Sequence, residues 1–167
     1  RHIVDVTIDD MLADPSMQNY ARSLATLTGG SGAVAVLLTD GTLNLDTDRN
    51  HQLLGASHLS APEHNNLCQW GLKEVGPQLF REFMRTDAVS LLKEGVSLAK
   101  DTWEHFLEQR EWVEENVDKV ICHQVGAANQ KKVLTALNIP AVKEFPTFKH
   151  LGNMGTVSLP VTAAMAH

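Results

Sequence analysis

From residue 89 to 106 the apolar side chains recur every three or four positions: Val89, Leu92, Val96, Ala99, Trp103 and Phe106. Lys93, Glu94, Lys100, Asp101 and Glu104 fall between them. That period predicts one amphipathic helix. Asp14-Pro15-Ser16 predicts a second helix, with Ser16 as its cap and a body running to Leu27. Ala127–Leu137 predicts a third, with Val133, Leu134 and Leu137 apolar; Asn138-Ile139-Pro140 ends it, because proline disfavours helix in the residue before it. A fourth begins at Val157 and carries Ala163, Ala164 and Ala166, small enough for close packing.

Other stretches read as extended. Ala33-Val34-Ala35-Val36-Leu37-Leu38-Thr39 is continuously apolar, the pattern of a strand buried on both faces. Ile3-Val4-Asp5-Val6 is strand-like, and Val117–Ile121 is a short strand leading into Cys122-His123. Val142–Phe148 is extended and interrupted by Pro146. Breaks are predicted at Thr28-Gly29-Gly30-Ser31-Gly32, Asp40-Gly41 and Gly152-Asn153-Met154-Gly155. From Thr42 to Gly76 the chain is polar and irregular, long for a structureless loop, which suggests substrate or interface contacts. The class is α/β.

Composition narrows the function. The 167 residues suit one domain or half of a larger unit, and 43% hydrophobic residues suffice for a core. A net charge of −6 without a basic run disfavours nucleic acid. No apolar stretch reaches membrane-spanning length and no secretory signal is visible. Cys68 and Cys122 form no motif and are expected to be reduced thiols in a cytoplasm. Arg1 runs straight into apolar sequence, and the far end stops inside a predicted helix at His167. The expectation is a chain incomplete at both ends.

Two phrases carry the candidate chemistry: Cys122-His123-Gln124-Val125-Gly126 and His150-Leu151-Gly152-Asn153-Met154-Gly155. A ring N–H from His123 and a carboxamide N–H from Asn153 could together stabilise one developing oxyanion. Alone, each residue is more simply a histidine satisfied locally or an asparagine in a turn. Gly29-Gly30-Ser31-Gly32 fails as a phosphate loop, because no Lys-Ser/Thr follows and it leads from helix to strand; close backbone approach is the better reading. His51, His58, His64 and Cys68 match no zinc spacing. Trp103 and Phe106 read as core. Glu108, Glu111, Glu114 and Glu115 read as a solvated surface.

The order of these phrases resembles the C-terminal half of β-ketoacyl-(acyl-carrier-protein) synthase III, in the thiolase-like condensing superfamily. Gly29-Gly30-Ser31-Gly32-Ala33 resembles the family's Gly-Asp-Gly-Ala-Gly loop. His123-Gln124 resembles the start of His-Gln-Ala-Asn. Gly152-Asn153, followed by Ser158-Leu159-Pro160, resembles its Gly-Asn-Thr-Ser-Ala-Ala-Ser-Val-Pro segment. Gly30 stands where the family has Asp, Gly126 where it has Asn, and Leu151 where it usually has His.

The resemblance implies a layered mixed sheet with covering helices, and residues 1–167 as the C-terminal thiolase-like domain. The N-terminal half, with the nucleophilic cysteine, and the last C-terminal strands would lie outside it. It implies an acyltransferase performing decarboxylative or Claisen condensation of acyl thioesters through an acyl-cysteine. His123 and Asn153 are two members of its Cys-His-Asn triad, with His123 held neutral. Cys122 is not expected to carry the acyl group, since neighbouring strand residues face opposite ways. No cofactor or metal is implied; coenzyme A or acyl-carrier-protein thioesters are the substrates and partners, in a homodimer. The competing reading is a non-catalytic subunit that shapes a pocket or pairs with an active chain.

Overall fold

The computed structural model describes residues 2–43 and 51–166. The part of the Thr42–Gly76 excursion between 44 and 50, and both terminal residues, lie outside them. The chain is mixed α/β and divides into two compact units, one of residues 1–29 and 59–101, the other of residues 30–58 and 102–167.

The first unit holds helices α1 (His2–Ala13) and α2 (Met17–Leu27) and an antiparallel hairpin, β1 (Cys68–Gly76) with β2 (Leu79–Thr86). Both helices pack on β2. The Ile3–Val6 run is helix, not strand. Its β-branched side chains favour strand locally, but tertiary contacts override them: Val6 is buried, and the Arg81 guanidinium donates to the Val6 carbonyl at 3.2 Å and pairs with Asp10 at 3.0 Å. Asn19 closes the C-terminal end of α1 by donating to the carbonyls of Asp10 and Asp14. Ser16 caps α2 as predicted, its hydroxyl accepting from the Asn19 N–H.

The hairpin replaces the irregular structure expected before Gly76. It runs in register from Cys68 opposite Thr86 to Gly76 opposite Leu79, and Gln78 takes a left-handed φ of 60° in its turn. A short 3₁₀ turn, Pro62–Leu67, precedes it. Helix α3 (Ala88–Arg110) follows the predicted period. Asp87 caps it, accepting from the Ser90 N–H and hydroxyl, and these hydrogen bonds hold the Asp87 carboxyl below its ordinary pKa. The boundary between the units falls within α3, after Asp101.

The second unit contains the end of α3, helix α4 (Ala127–Ala136), a four-residue helix α5 (Phe148–Leu151) and α6 (Ser158–Met165). Its core is Leu134, Leu137 and Ile139, covered by Trp103, Val120, Cys122 and Val133. Phe106 stacks on Trp103 with ring centres 5.9 Å apart and meets Trp112 edge-on at 5.8 Å. Half-buried aromatic rings therefore cover this end of α3, and of the two residues read as core Trp103 packs on the Leu134 cluster.

Three expectations are corrected in this unit. Val117–Ile121 forms no strand; one parallel bridge, Val120 with Glu144, stands in its place. Val142–Phe148 holds a 3₁₀ turn at Ala141–Lys143 and the start of α5. Ala33–Thr39 is not a buried strand: it has no ladder partner among the described residues, and Val36, Leu37 and Leu38 are 66–77% exposed. A strand needs a non-local partner for its backbone groups, which an apolar pattern alone does not supply. In α6 the small alanines Ala163 and Ala164 face outward, while Ser158 and Thr162, one turn apart, are fully buried. Among the described residues no helix is long and apolar enough to cross a membrane.

Candidate active site

His123 and Asn153 both lie in the second unit. His123 follows the Val120 bridge and precedes α4, whose first residue, Ala127, comes right after the Gly126 cap. The residue is exposed. Partial desolvation by the surrounding protein lowers its pKa below the ordinary imidazole value, so the neutral ring is favoured.

Asn153 sits directly after α5. Gly152 ends that helix with φ 67°, and Gly155 turns again with φ 59°. The Asn153 Oδ1 accepts the Gly155 N–H at 3.0 Å. A backbone N–H can only donate, so the oxygen must be the atom facing it, and the Nδ2 hydrogens are left for another acceptor. The loop is held on three further sides. Met154 donates its N–H to the buried Ser158 hydroxyl at 3.0 Å. The Asn153 carbonyl accepts the Gly30 N–H at 2.8 Å. A Cβ at Gly30 would stand 2.1 Å from the Leu151 carbonyl oxygen, and one at Gly32 would stand 2.9 Å from the Met154 sulfur. The glycine-rich loop is thus a place of close backbone approach, as predicted, and what it approaches is the Asn153 turn.

A buried polar network that sequence reasoning missed joins the two segments. Gln124, 1% exposed, donates to the Cys122 carbonyl at 2.8 Å and to Glu144 at 3.4 Å. Its carbonyl oxygen accepts the N–H groups of Thr147 at 2.7 Å and Phe148 at 3.1 Å. Glu144 also accepts from the Gln130 carboxamide of α4; burial raises its pKa, against the lowering effect of Gln124. Thr147 and Thr162 share a hydroxyl–hydroxyl bond of 2.6 Å, both side chains buried. The signal for Gln124 was its place in the His-Gln phrase. Thr147 and Thr162 offered none, since threonine is ordinarily a surface residue.

Cys122 is half-buried against the Leu134 cluster. Burial, with a contribution from Glu144, pushes its thiol up to about 11, so it is protonated at neutral pH and a poor nucleophile. Cys68 is exposed and lies 3.6 Å from the Thr86 hydroxyl. His64 lies 3.7 Å from Glu94. Among the described residues no three His, Cys, Asp or Glu side chains gather as a metal site.

Residues 107–167, which contain His123 and Asn153, match the family described as 3-oxoacyl-[acyl-carrier-protein (ACP)] synthase III C terminal. A Shewanella oneidensis protein named acyl-CoA:acyl-CoA alkyltransferase is 78% identical over all 167 residues, which is 48% of its own length. A protein of the same name from Xanthomonas campestris pv. campestris is 29% identical over 95% of this chain and 44% of its own. The chain therefore spans about half the length of the curated relatives it matches. A crystal structure of Xanthomonas campestris OleA with a cysteine-to-alanine change superimposes on 98% of this chain and 44% of that one, with a TM-score of 0.70 and 21% identity; this likeness shows the fold. Taken with the residues arranged above, these findings place residues 107–167 in the 3-oxoacyl-[acyl-carrier-protein (ACP)] synthase III C-terminal family, within a chain that is similar over its length to the two alkyltransferases and has the fold of the OleA structure.

Proposed function

We propose that the protein carrying this chain is a condensing acyltransferase that joins two acyl-CoA thioesters in a Claisen-type reaction, with His123 and Asn153 as its oxyanion donors. The name shared by the two relatives supports the substrate class. The observation that carries the site is the pinned Asn153 carboxamide, whose oxygen is occupied by Gly155 and whose N–H₂ is free to donate. The lowered pKa of His123 supports a neutral ring as the second donor.

In this reading an acyl group is held as a thioester on a cysteine outside this chain, consistent with the raised pKa of Cys122. The α-carbon of a second acyl thioester gives up a proton to a general base that, like the cysteine, is proposed to lie outside this chain, and the negative charge left behind spreads onto the thioester oxygen. His123 and Asn153 donate to that oxygen, lowering the barrier by interactions that exist only once charge develops. The carbanion attacks the acyl-cysteine carbonyl, a C–C bond forms, and the cysteine thiolate leaves. Coenzyme A thioesters, rather than carrier-protein thioesters, are the substrates proposed, with a homodimer as the assembly.

The test uses the full-length protein. His123→Ala or Asn153→Ala should each lower condensation ~10²–10³-fold, the usual effect of deleting one oxyanion donor. Acylation of the cysteine, followed by intact mass, should persist in both. Unchanged condensation in either variant removes that residue from the site.

A further inference from the structure

We infer that Gln124 is a positioning residue that sets the placement of the Asn153 carboxamide relative to His123. The inference rests on the reading of those two side chains as oxyanion donors. Gln124 has four hydrogen-bonding positions, two on its oxygen and two on its nitrogen. All four are used, and their partners come from both sides of the site. On one side the amide nitrogen holds the Cys122 carbonyl, which belongs to the peptide group entering His123. On the other the oxygen holds the N–H groups of Thr147 and Phe148, the cap and first residue of α5. Helix α5 has four residues, and the turn that displays Asn153 begins where it ends.

The carboxamide cannot be reversed without facing its N–H₂ toward two backbone N–H groups, so its orientation is fixed. Glu144 and Gln130 hold the nitrogen end in place from the bridge segment and from α4. The Thr147–Thr162 bond ties the oxygen end to α6. Donors that stabilise an oxyanion act through geometry, and supporting residues locked by packing and hydrogen bonds maintain it. Gln124 touches neither reacting group. It spans the two segments that do.

The test compares Gln124→Glu and the shorter Gln124→Asn in the full-length protein. Gln124→Glu keeps the acceptors for Thr147 and Phe148 but removes both donors and sets a second carboxylate beside Glu144. Each variant should lower kcat for condensation by ~10–100-fold, as displacements of about 1 Å do, with KM for acyl-CoA within about twofold and cysteine acylation retained. In an Asn153→Ala background the same change should cost less than about threefold, because the donor being positioned is gone. Gln124→Asn, which retains an amide, is the variant to read if Gln124→Glu does not fold. Equal losses with and without Asn153, or parallel loss of acylation and condensation, would reduce Gln124 to a general stabiliser and overturn the inference. If His123→Ala and Asn153→Ala themselves leave condensation intact, the oxyanion reading fails instead. Amide exchange at Thr147 and Phe148 then still reports on the clamp: protection unchanged in Gln124→Asn overturns the clamp itself.

Discussion

Replacing Gly30 by alanine adds one methyl group where the chain leaves no room for it. The new Cβ would lie 2.1 Å from the Leu151 carbonyl oxygen and 3.1 Å from a Met154 side-chain carbon. Ordinary contact begins near 3.4 Å, so the two backbones must separate by the difference, 1.3 Å. The obstacle is a backbone atom and cannot swing aside as the Met154 side chain can. Overpacking of this kind costs about 1–3 kcal/mol. At roughly 2–4 °C per kcal/mol for a domain of this size, the melting temperature should fall by several degrees. The same displacement strains the 2.8 Å bond from the Gly30 N–H to the Asn153 carbonyl. A shift of about 1 Å at a reacting group costs on the order of 100-fold in rate. Differential scanning calorimetry and a condensation assay on the full-length protein measure both effects. Gly126→Ala is the control, since a Cβ there meets nothing within 4 Å. A Gly30→Ala protein that melts and condenses like the parent would refute the argument that this loop supports the Asn153 turn.

Three further outcomes follow from the same geometry. Thr162→Val leaves the Thr147 hydroxyl buried without its partner and should cost about 1–3 kcal/mol, whereas Thr147→Val with Thr162→Val should recover most of that; urea melts of the four proteins decide, and simple additivity sinks the pairing. His123 should titrate below 6.5 by NMR. The folded protein then binds fewer protons than the unfolded one beneath that value, so stability tied to the neutral ring is complete above 6.5 and declines as pH falls toward the lower folded pKa; a midpoint at or above 6.5 contradicts this. With its thiol near 11, Cys122 carries roughly one part in a thousand thiolate at pH 8, so iodoacetamide should label exposed Cys68 first, and preferential labelling of Cys122 would count against the burial described.

The elements legible in the sequence were those fixed by nearby residues. Helices α2, α3 and α4 showed themselves through a cap, a period and a proline stop, all local signals: Ser16 meets Asn19 three positions on, and the apolar stripe of α3 repeats within each turn. Elements decided at long range were misread. Ile3–Val6 becomes helical through Arg81, seventy-five positions away from Val6. The hairpin escaped notice because Trp70, Leu72 and Phe80 stay largely exposed, and its turn places Gln78, rather than glycine or asparagine, at positive φ. The site divides in the same way. His123 and Asn153 stood out within short phrases. The network around Gln124 did not, because it gathers residues from 122 to 162 whose types are individually ordinary.

The uncovered run Ala33–Thr39 has a consequence for handling the chain by itself. It is seven residues of Ala, Val, Leu and Thr, uncharged and without proline, the composition from which cross-β spines assemble. Its side chains lie open to solvent, and among the described residues its backbone pairs with no strand. At high concentration such a run invites the same run of another molecule, and self-association follows without unfolding. One residue opposes it. Asp40 closes the run with a carboxyl held below its ordinary pKa by the Thr42 hydroxyl and N–H. That charge is a gatekeeper, and the solubility of the isolated chain should depend on it.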